Sequence, residues 1–241
     1  FDHPLLSGLL GDEEMAGCFS VEAEIEAMLA FETALAAAEA AEAVIPREAG
    51  AAIGRALAGF APDLPRLRES TAMDGVVVPE LVRQLRAAVG DPHGRHVHFG
   101  ATSQDVIDTG LALRLARAFP VMAERLAALC SALDGLARRY GGVETTAHTR
   151  MQAAISVPAS RKIGSWHAPL ARHLERLDAV KNEVVVLHFG GAAGTLEKLG
   201  DCAPAVRERL AAALGLRAVP TARHSERDGI VAFASWLSLV S

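Results

Sequence analysis

The segment from His98 to Asp105 brings together groups that can bind an anion. Thr102 and Ser103 stand just before an apolar-periodic run, where hydroxyl side chains often cap a helix, and Asp105 follows in the first turn. The first N–H groups of a helix have no partner within it, and the helix dipole adds positive charge there. Carboxylates and phosphates bind at such helix ends. The pattern therefore predicts either an ordinary capped helix or, with His98 as a further donor, an anion site.

Two arginines are further candidates for binding an anionic substrate. Arg150 stands between Thr149 and Gln152, and its planar guanidinium can hold a carboxylate at two points. Arg227 opens the last predicted helix, next to Glu226, whose carboxylate would repel an anion. For both arginines the alternative is an ion pair with a nearby carboxylate, which requires no ligand.

Three histidines in a short loop, His93, His96 and His98, are compatible in number with a zinc site. No cysteine or acidic residue nearby has the spacing typical of zinc ligands, so we expect no bound metal. The glycine-rich stretch from Gly190 to Thr195 is not a dinucleotide fingerprint, because no βαβ pattern surrounds it. The sequence therefore predicts chemistry without a metal or another cofactor.

Composition limits the classes of protein. The 241 residues are 51% hydrophobic and only 5% aromatic, with many alanines and leucines, which favours close-packed helices over a β-sandwich. The net charge of −5 argues against a nucleic-acid partner. No apolar run reaches the roughly 18 residues of a membrane span, so we expect no membrane partner. The three cysteines form no CxxC pair, which favours a reduced, cytoplasmic setting.

Residues 1–101 are expected to form a small helical N-terminal domain. After an irregular arm, Ser20 is a favourable N-cap for a first helix that runs to Ile45. Further helices are predicted from Pro46 to Gly59 and from Pro79 to Gly90, each with proline at its start and glycine at its end. Prolines and a glycine between these two helices should break the intervening stretch into short pieces.

Residues 102–241 are expected to form part of a long-helix bundle, which makes the fold all-α. A helix from Ser103 to Gly141 should kink or divide at Pro120, and its apolar residues recur in steps of three and four, as at a bundle seam. Further long helices are predicted from Pro158 to Leu187 and from Ser225 to the last residue. Such helices leave apolar surface uncovered, so we expect partner subunits or further chain to cover it.

Three stretches of the sequence resemble segments of the fumarase/aspartase superfamily. His98–Asp105 is similar to its first signature, and Ser103–Thr109 has the form found in its 3-carboxy-cis,cis-muconate cycloisomerases. Gly190–Thr195 resembles the superfamily's glycine-rich loop. The third signature, a mobile loop that supplies the main catalytic serine, has no counterpart. The chain is therefore expected to be incomplete at its C-terminus.

The second signature carries a departure that bears on the reaction. Thr149–Ala154 resembles a segment that reads Gly-Arg-Thr-His-x-Gln in the lyases, but Arg150 stands at the position of the lyase histidine and His148 at that of the arginine. Lyases expel an amine or hydroxide, which needs a proton from a general acid. A carboxylate leaves without protonation, since its acid has a pKa of about 4. A cycloisomerase therefore needs no acid histidine here, and an arginine can hold a carboxylate instead.

The resemblance implies an intramolecular addition of a carboxylate to a double bond, giving γ-carboxymuconolactone in protocatechuate breakdown by the β-ketoadipate pathway. It implies a small tricarboxylate substrate, no cofactor, and a homotetramer with shared active sites. Catalytic roles are implied for His98, Ser103 and Arg150. Substrate contacts are implied for seven residues, Thr102, Ser103, Gln104, Thr149, Arg150, Gln152 and Arg227.

Two other functions stay open at this point. One is β-elimination, as in adenylosuccinate lyase or argininosuccinate lyase, against which Arg150 argues. The other, from a different class, is a non-catalytic helical oligomerisation module. That alternative gains weight only if the third signature is absent from the gene.

Overall fold

The computed structural model describes residues 5–241, so the first four residues of the predicted N-terminal arm lie outside the described residues. The chain divides into two compact units. The first unit contains residues 1–116 and 185–227, and the second contains residues 117–184 and 228–241. Within the described part, helices dominate both units and the two β-strands form one hairpin. This confirms the all-α prediction.

The first part of the first unit is a succession of helices joined by short turns. The predicted helices appear as α3 (Val21–Ala41), α4 (Arg47–Leu57) and α6 (Val78–Val89), although α3 ends four residues before Ile45. Where the prolines predicted short pieces, a single helix α5 forms, because Asp63 caps it and Pro65 lies in its first turn, where no N–H is needed. Between residues 5 and 90 the helices are α1 (Ser7–Leu10), α2 (Glu13–Cys18), α3 (Val21–Ala41), α4 (Arg47–Leu57), α5 (Leu64–Asp74) and α6 (Val78–Val89).

The core of the first unit forms around α3. Phe31 of α3 is fully buried, as are Ile53 of α4 and Leu85 of α6. A helix that the sequence analysis did not identify, α9 (Ala203–Leu214), packs against α3 and buries Val206 in the same core. The returning segment 185–227 is thus part of this unit because its apolar side chains complete the core.

The long helix α7 (Ser103–Tyr140) begins at the residue that the sequence predicted. Pro120 lies inside it and does not divide it. Residues of α7 up to Ala116 belong to the first unit, where Val106 and Ala112 are buried in the core. The remainder of α7 belongs to the second unit.

The second unit contains two further helices, α8 (Ala159–Val184) and α10 (Asp228–Val240), which pack against each other. Both were predicted, α8 within a few residues and α10 with a later start. Trp236 of α10 is buried, and its indole N–H donates to the backbone oxygen of His173 at 3.0 Å. None of the described helices combines the length and apolarity needed to cross a membrane.

A β-hairpin lies between α7 and α8, in a stretch for which the sequence predicted no element. Its strands are β1 (Glu144–Thr149) and β2 (Gln152–Pro158), which pair antiparallel. The two-residue turn consists of Arg150 and Met151, with φ of 46° and 63°. Turns with two positive φ values usually contain Asn or Gly, so this hairpin lacked its ordinary sequence signal.

The boundaries of the two units differ from the predicted division into residues 1–101 and 102–241. The start of α7 and the segment 185–227 lie in the first unit because they bury apolar residues there. The predicted domain boundary after residue 101 followed the order of elements in the sequence. Packing instead places the boundary between the two units inside α7. For the whole protein, a division into an N-terminal and a central domain stays a proposal.

Candidate active site

The start of α7 leaves two hydroxyl groups without protein partners. The Thr102 backbone N–H donates to Asp105 Oδ2 at 2.9 Å, and the Asp105 N–H donates to the Thr102 oxygen at 3.1 Å. Asp105 thus closes the first turn from within the helix. Within residues 5–241, the half-buried side chains of Thr102 and Ser103 form no hydrogen bond, so neither hydroxyl caps the helix. The capping alternative therefore does not describe their role here.

The Asp105 carboxylate connects three segments of the first unit. It is fully buried and accepts the N–H groups of Gly190 at 2.8 Å and Gly191 at 3.0 Å. Nε2 of His224 lies 2.7 Å from its Oδ1. The glycine-rich loop and the segment before α10 are therefore held at the start of α7 by one carboxylate, with hydrogen bonds to backbone N–H groups that have few alternative partners.

Two glycines allow these segments to pack in direct contact. Gly100 and Gly191 have φ of 69° and 67°, a region that residues with a Cβ rarely adopt. A Cβ on Gly191 would lie 2.7 Å from the Gly100 backbone oxygen, and one on Gly100 would lie 2.3 Å from Leu199 Cδ1. Glycine is therefore required where the loop meets the segment that precedes α7.

His98 is held from α3. Its Nδ1 lies 2.6 Å from Oε1 of Glu32, which is buried. Glu39, further along α3, is also fully buried, and neither of its carboxyl oxygens has a hydrogen-bond partner in the described structure. Burial, assisted by the nearby Glu32, raises the pKa of Glu39 to about 9. Glu39 is therefore protonated and neutral at neutral pH.

Asp108, one turn into α7, binds two of the predicted substrate-contact residues. Arg227 donates to both of its carboxylate oxygens, at 2.6 and 3.0 Å. Burial acts to raise the pKa of Asp108, but hydrogen bonds from Arg227 and Gln104 outweigh it and hold that pKa below its usual value. The ion pair proposed as the alternative for Arg227 is thus present, and a substrate contact by Gln104 or Arg227 stays a prediction.

His188 is a further buried histidine beside Asp108. Its backbone N–H and oxygen are both paired with Thr109 Oγ1, at 3.1 and 2.8 Å. Its Nδ1 has no hydrogen-bond partner in the part of the chain described, and burial lowers its pKa. His188 is therefore neutral at neutral pH, despite the nearby Asp108 carboxylate.

Thr149, Arg150 and Gln152 lie in the second unit, at the tip of the hairpin, and all three are exposed. Among residues 5–241, no carboxylate pairs with Arg150. The surface ion pair that was the alternative for Arg150 is therefore not formed. Arg150 lies in a tight turn with positive φ, and strand pairing on both sides restrains the backbone of that turn.

Sequence reasoning missed four residues of this site, Glu32, Asp108, His188 and His224. Two signals were available. Glu32 occupies a position in the apolar stripe of α3, where a charged side chain needs a partner. Asp105, Asp108 and Thr109 recur at helical spacing on a face that is otherwise apolar.

Among residues 5–241, no group of three or more His, Cys, Asp or Glu side chains is arranged so that it could bind a metal ion.

Comparisons with known proteins place the chain in a family. A family model described as lyase matches residues 12–241. A 3-carboxy-cis,cis-muconate cycloisomerase from Pseudomonas aeruginosa is 39% identical over 94% of this chain and 50% of its own length. An adenylosuccinate lyase from Methanocaldococcus jannaschii is 30% identical over 96% of this chain and 50% of its own length.

A solved structure agrees with the sequence comparison. The 3-carboxy-cis,cis-muconate lactonizing enzyme from Pseudomonas putida matches with a TM-score of 0.92 at 35% identity, covering 98% of this chain and 55% of that one. The chain thus spans about half the length of the curated relatives it matches. With a family match over nearly its whole length, the chain belongs to the lyase family of the fumarase/aspartase superfamily.

Proposed function

We propose that the whole protein is a 3-carboxy-cis,cis-muconate cycloisomerase. The observation that carries the proposal is the start of α7, where the half-buried hydroxyls of Thr102 and Ser103 have no hydrogen-bond partner among residues 5–241. The Asp105 carboxylate in the same turn already accepts the N–H groups of Thr102, Gly190 and Gly191 and contacts His224. A substrate carboxylate supplies the missing acceptor, with the hydroxyls of Thr102 and Ser103 as donors.

The proposed reaction develops negative charge at a position that the start of α7 can stabilise. One substrate carboxylate oxygen forms a C–O bond to a carbon of the double bond, the π bond breaks, and the neighbouring carbon takes up a proton. Negative charge develops on the carboxylate next to that carbon, and donors already in place at the start of α7 stabilise it. The main catalytic serine is expected in a loop outside this chain. No cofactor enters these steps.

Arg150 binds the substrate carboxylate that attacks the double bond. In the reverse reaction this carboxylate is the leaving group. An arginine holds a carboxylate at two points and cannot act as an acid near neutral pH. A leaving carboxylate needs no proton. The substitution of arginine for the lyase histidine therefore favours lactone chemistry over β-elimination. His98 supplies a further donor, and Thr149 and Gln152 flank Arg150 as substrate contacts.

Self-association to a homotetramer with shared active sites, in the cytoplasm, is part of the proposal. Three helices of the second unit carry exposed apolar side chains that a partner would cover. They are Leu129 and Leu136 of α7, Trp166 of α8, and Val231, Leu237 and Leu239 of α10. No contact with a membrane or nucleic acid is proposed.

A direct assay tests the proposed function. Lactone formation removes one double bond from the conjugated substrate, so ultraviolet absorbance should fall when the whole protein is mixed with 3-carboxy-cis,cis-muconate. We expect turnover to persist in excess chelator. The same preparation should leave adenylosuccinate intact. Turnover of adenylosuccinate with no change in the muconate would replace this proposal with the β-elimination alternative.

A second experiment tests the anion site itself. Ser103→Ala and Thr102→Val should each lower turnover at least about tenfold, because a hydrogen bond to a charged group is worth roughly 1.5–3 kcal/mol. The melting temperature should change little, since neither hydroxyl has a hydrogen-bond partner among the residues that the structure describes. A loss of stability with normal turnover in both variants would show that this segment is only a helix start.

Ser20→Ala is the matched control, because the Ser20 hydroxyl does cap its helix and accepts the Ala23 N–H at 3.1 Å. This variant should lose about 1 kcal/mol of stability and keep its turnover.

A further inference from the structure

The strongest unexplained feature near the site is the pairing of His98 with a buried carboxylate from a distant helix. His98 Nδ1 and Glu32 Oε1 are 2.6 Å apart across 66 residues of sequence. The Glu32 side chain is 1% exposed and that of His98 is 13% exposed. A carboxylate at this depth is stable only with a hydrogen-bonded partner, and His98 is its partner in the described structure.

We propose that Glu32 is the positioning residue of His98, fixing which ring nitrogen faces the substrate. This inference rests on the proposed function. In a neutral imidazole one nitrogen donates and the other accepts, and the partner of one nitrogen decides the state of the other. Because Glu32 can only accept when ionised, Nδ1 carries the proton. In the neutral ring Nε2 is then the acceptor, which can take up a proton, and once protonated it can donate to a substrate carboxylate.

The backbone at His98 supports a positioning role. Its φ is 63°, in the left-handed region that a residue with a side chain seldom adopts. Such a conformation persists only where surrounding contacts hold it, and these positions concentrate at functional sites. The buried Val97 on one side and the tightly packed Gly100 on the other hold this stretch. The ring is therefore held both through its backbone and through Nδ1.

A second buried acid on α3, Glu39, lies close to the segment that carries His98. Glu39 lies seven residues after Glu32, two helical turns along the same face. A Cβ on Gly100 would lie 3.7 Å from Glu39 Oε1, so this acid lies directly below the segment that carries His98. As a neutral acid it adds no charge. Glu32 is the carboxylate that the described structure places against the His98 ring.

Nuclear magnetic resonance of histidine ring nitrogens tests the proposal without substrate. In the whole protein labelled with ¹⁵N-histidine, His98 should show a protonated Nδ1, with its signals assigned by their loss in His98→Gln. Glu32→Ala should move the neutral ring to the Nε2-protonated form. Glu32→Gln should keep Nδ1 protonated, because the amide oxygen still accepts. Unchanged His98 signals in Glu32→Ala would overturn the proposal.

If Glu32→Ala does not fold, Glu32→Gln still decides the question. A ring that is Nε2-protonated in the wild type, or that becomes so in Glu32→Gln, contradicts the assignment. A ring that stays Nδ1-protonated in both supports it.

Kinetics provide the functional readout. Glu32→Ala should lower kcat at least about tenfold with a smaller change in KM, because ring orientation matters most as charge develops in the transition state. Glu32→Gln should recover part of that loss. Equal kcat for Glu32→Ala and wild type would also overturn the proposal.

Asp134→Asn is the control, since Asp134 pairs with His167 on an exposed surface at 3.4 Å. It should change neither kcat nor the His98 signals. The two hypotheses can fail separately. A wild-type protein inactive on the muconate, whose His98 ring still responds to Glu32 as expected, contradicts the proposed function and leaves the positioning role in place.

Discussion

Asp105→Ala should lower the free energy of unfolding by about 3–5 kcal/mol, the largest stability effect expected of any single substitution in this site. The carboxylate is fully buried and accepts the N–H groups of Thr102, Gly190 and Gly191. Removing it leaves two buried donors and one part-buried donor unpaired, and His224 loses its partner as well. Urea-induced unfolding followed by circular dichroism measures the effect.

Asp63→Ala is the matched control for that experiment. Asp63 also accepts a backbone N–H at a helix start, from Arg66 at 3.1 Å, but it is exposed. Water replaces its oxygen when the side chain is truncated, so the expected loss is about 1 kcal/mol. A loss for Asp105→Ala no greater than that of the control would show that the loop and the helix start are held together by other contacts.

Arg150→Ala should lower turnover at least about tenfold, which corresponds to the loss of a charge-assisted contact worth roughly 1.5–3 kcal/mol. Stability should change little, because the side chain is exposed and pairs with no carboxylate of the described chain. Steady-state kinetics of the whole protein, together with a thermal melt, measure the two effects. Arg150→Lys separates the two-point clamp from a simple charge, since lysine restores only the charge.

Arg172→Ala controls for general effects of losing an exposed arginine from the second unit. Its turnover should match the wild type. If Arg150→Ala and Arg172→Ala have the same kinetics as the unsubstituted protein, Arg150 does not bind a substrate carboxylate.

Local patterns in the sequence predicted most of the helices. The capping position of Ser20, the start of α7 at Ser103 and the glycine at position 90 each depend on neighbours within about four residues, and the structure reproduces them. The same short range explains the errors. Pro65 was interpreted as a break because proline is compatible with both a loop and the first turn of a helix. The Arg150–Met151 turn lacked the Asn or Gly that ordinarily marks a hairpin.

By itself, the sequence determined the all-α class, the family resemblance and the hydroxyls at the start of α7. Only the tertiary structure decided how the polar residues are paired. Glu32 contacts His98, which is 66 residues away in sequence, and Arg227 binds Asp108, which is 119 residues away. Such pairs follow no helical period, so no local pattern predicts them. They form because burying a carboxylate is unfavourable without a donor, and packing of the core decides which donor is within reach.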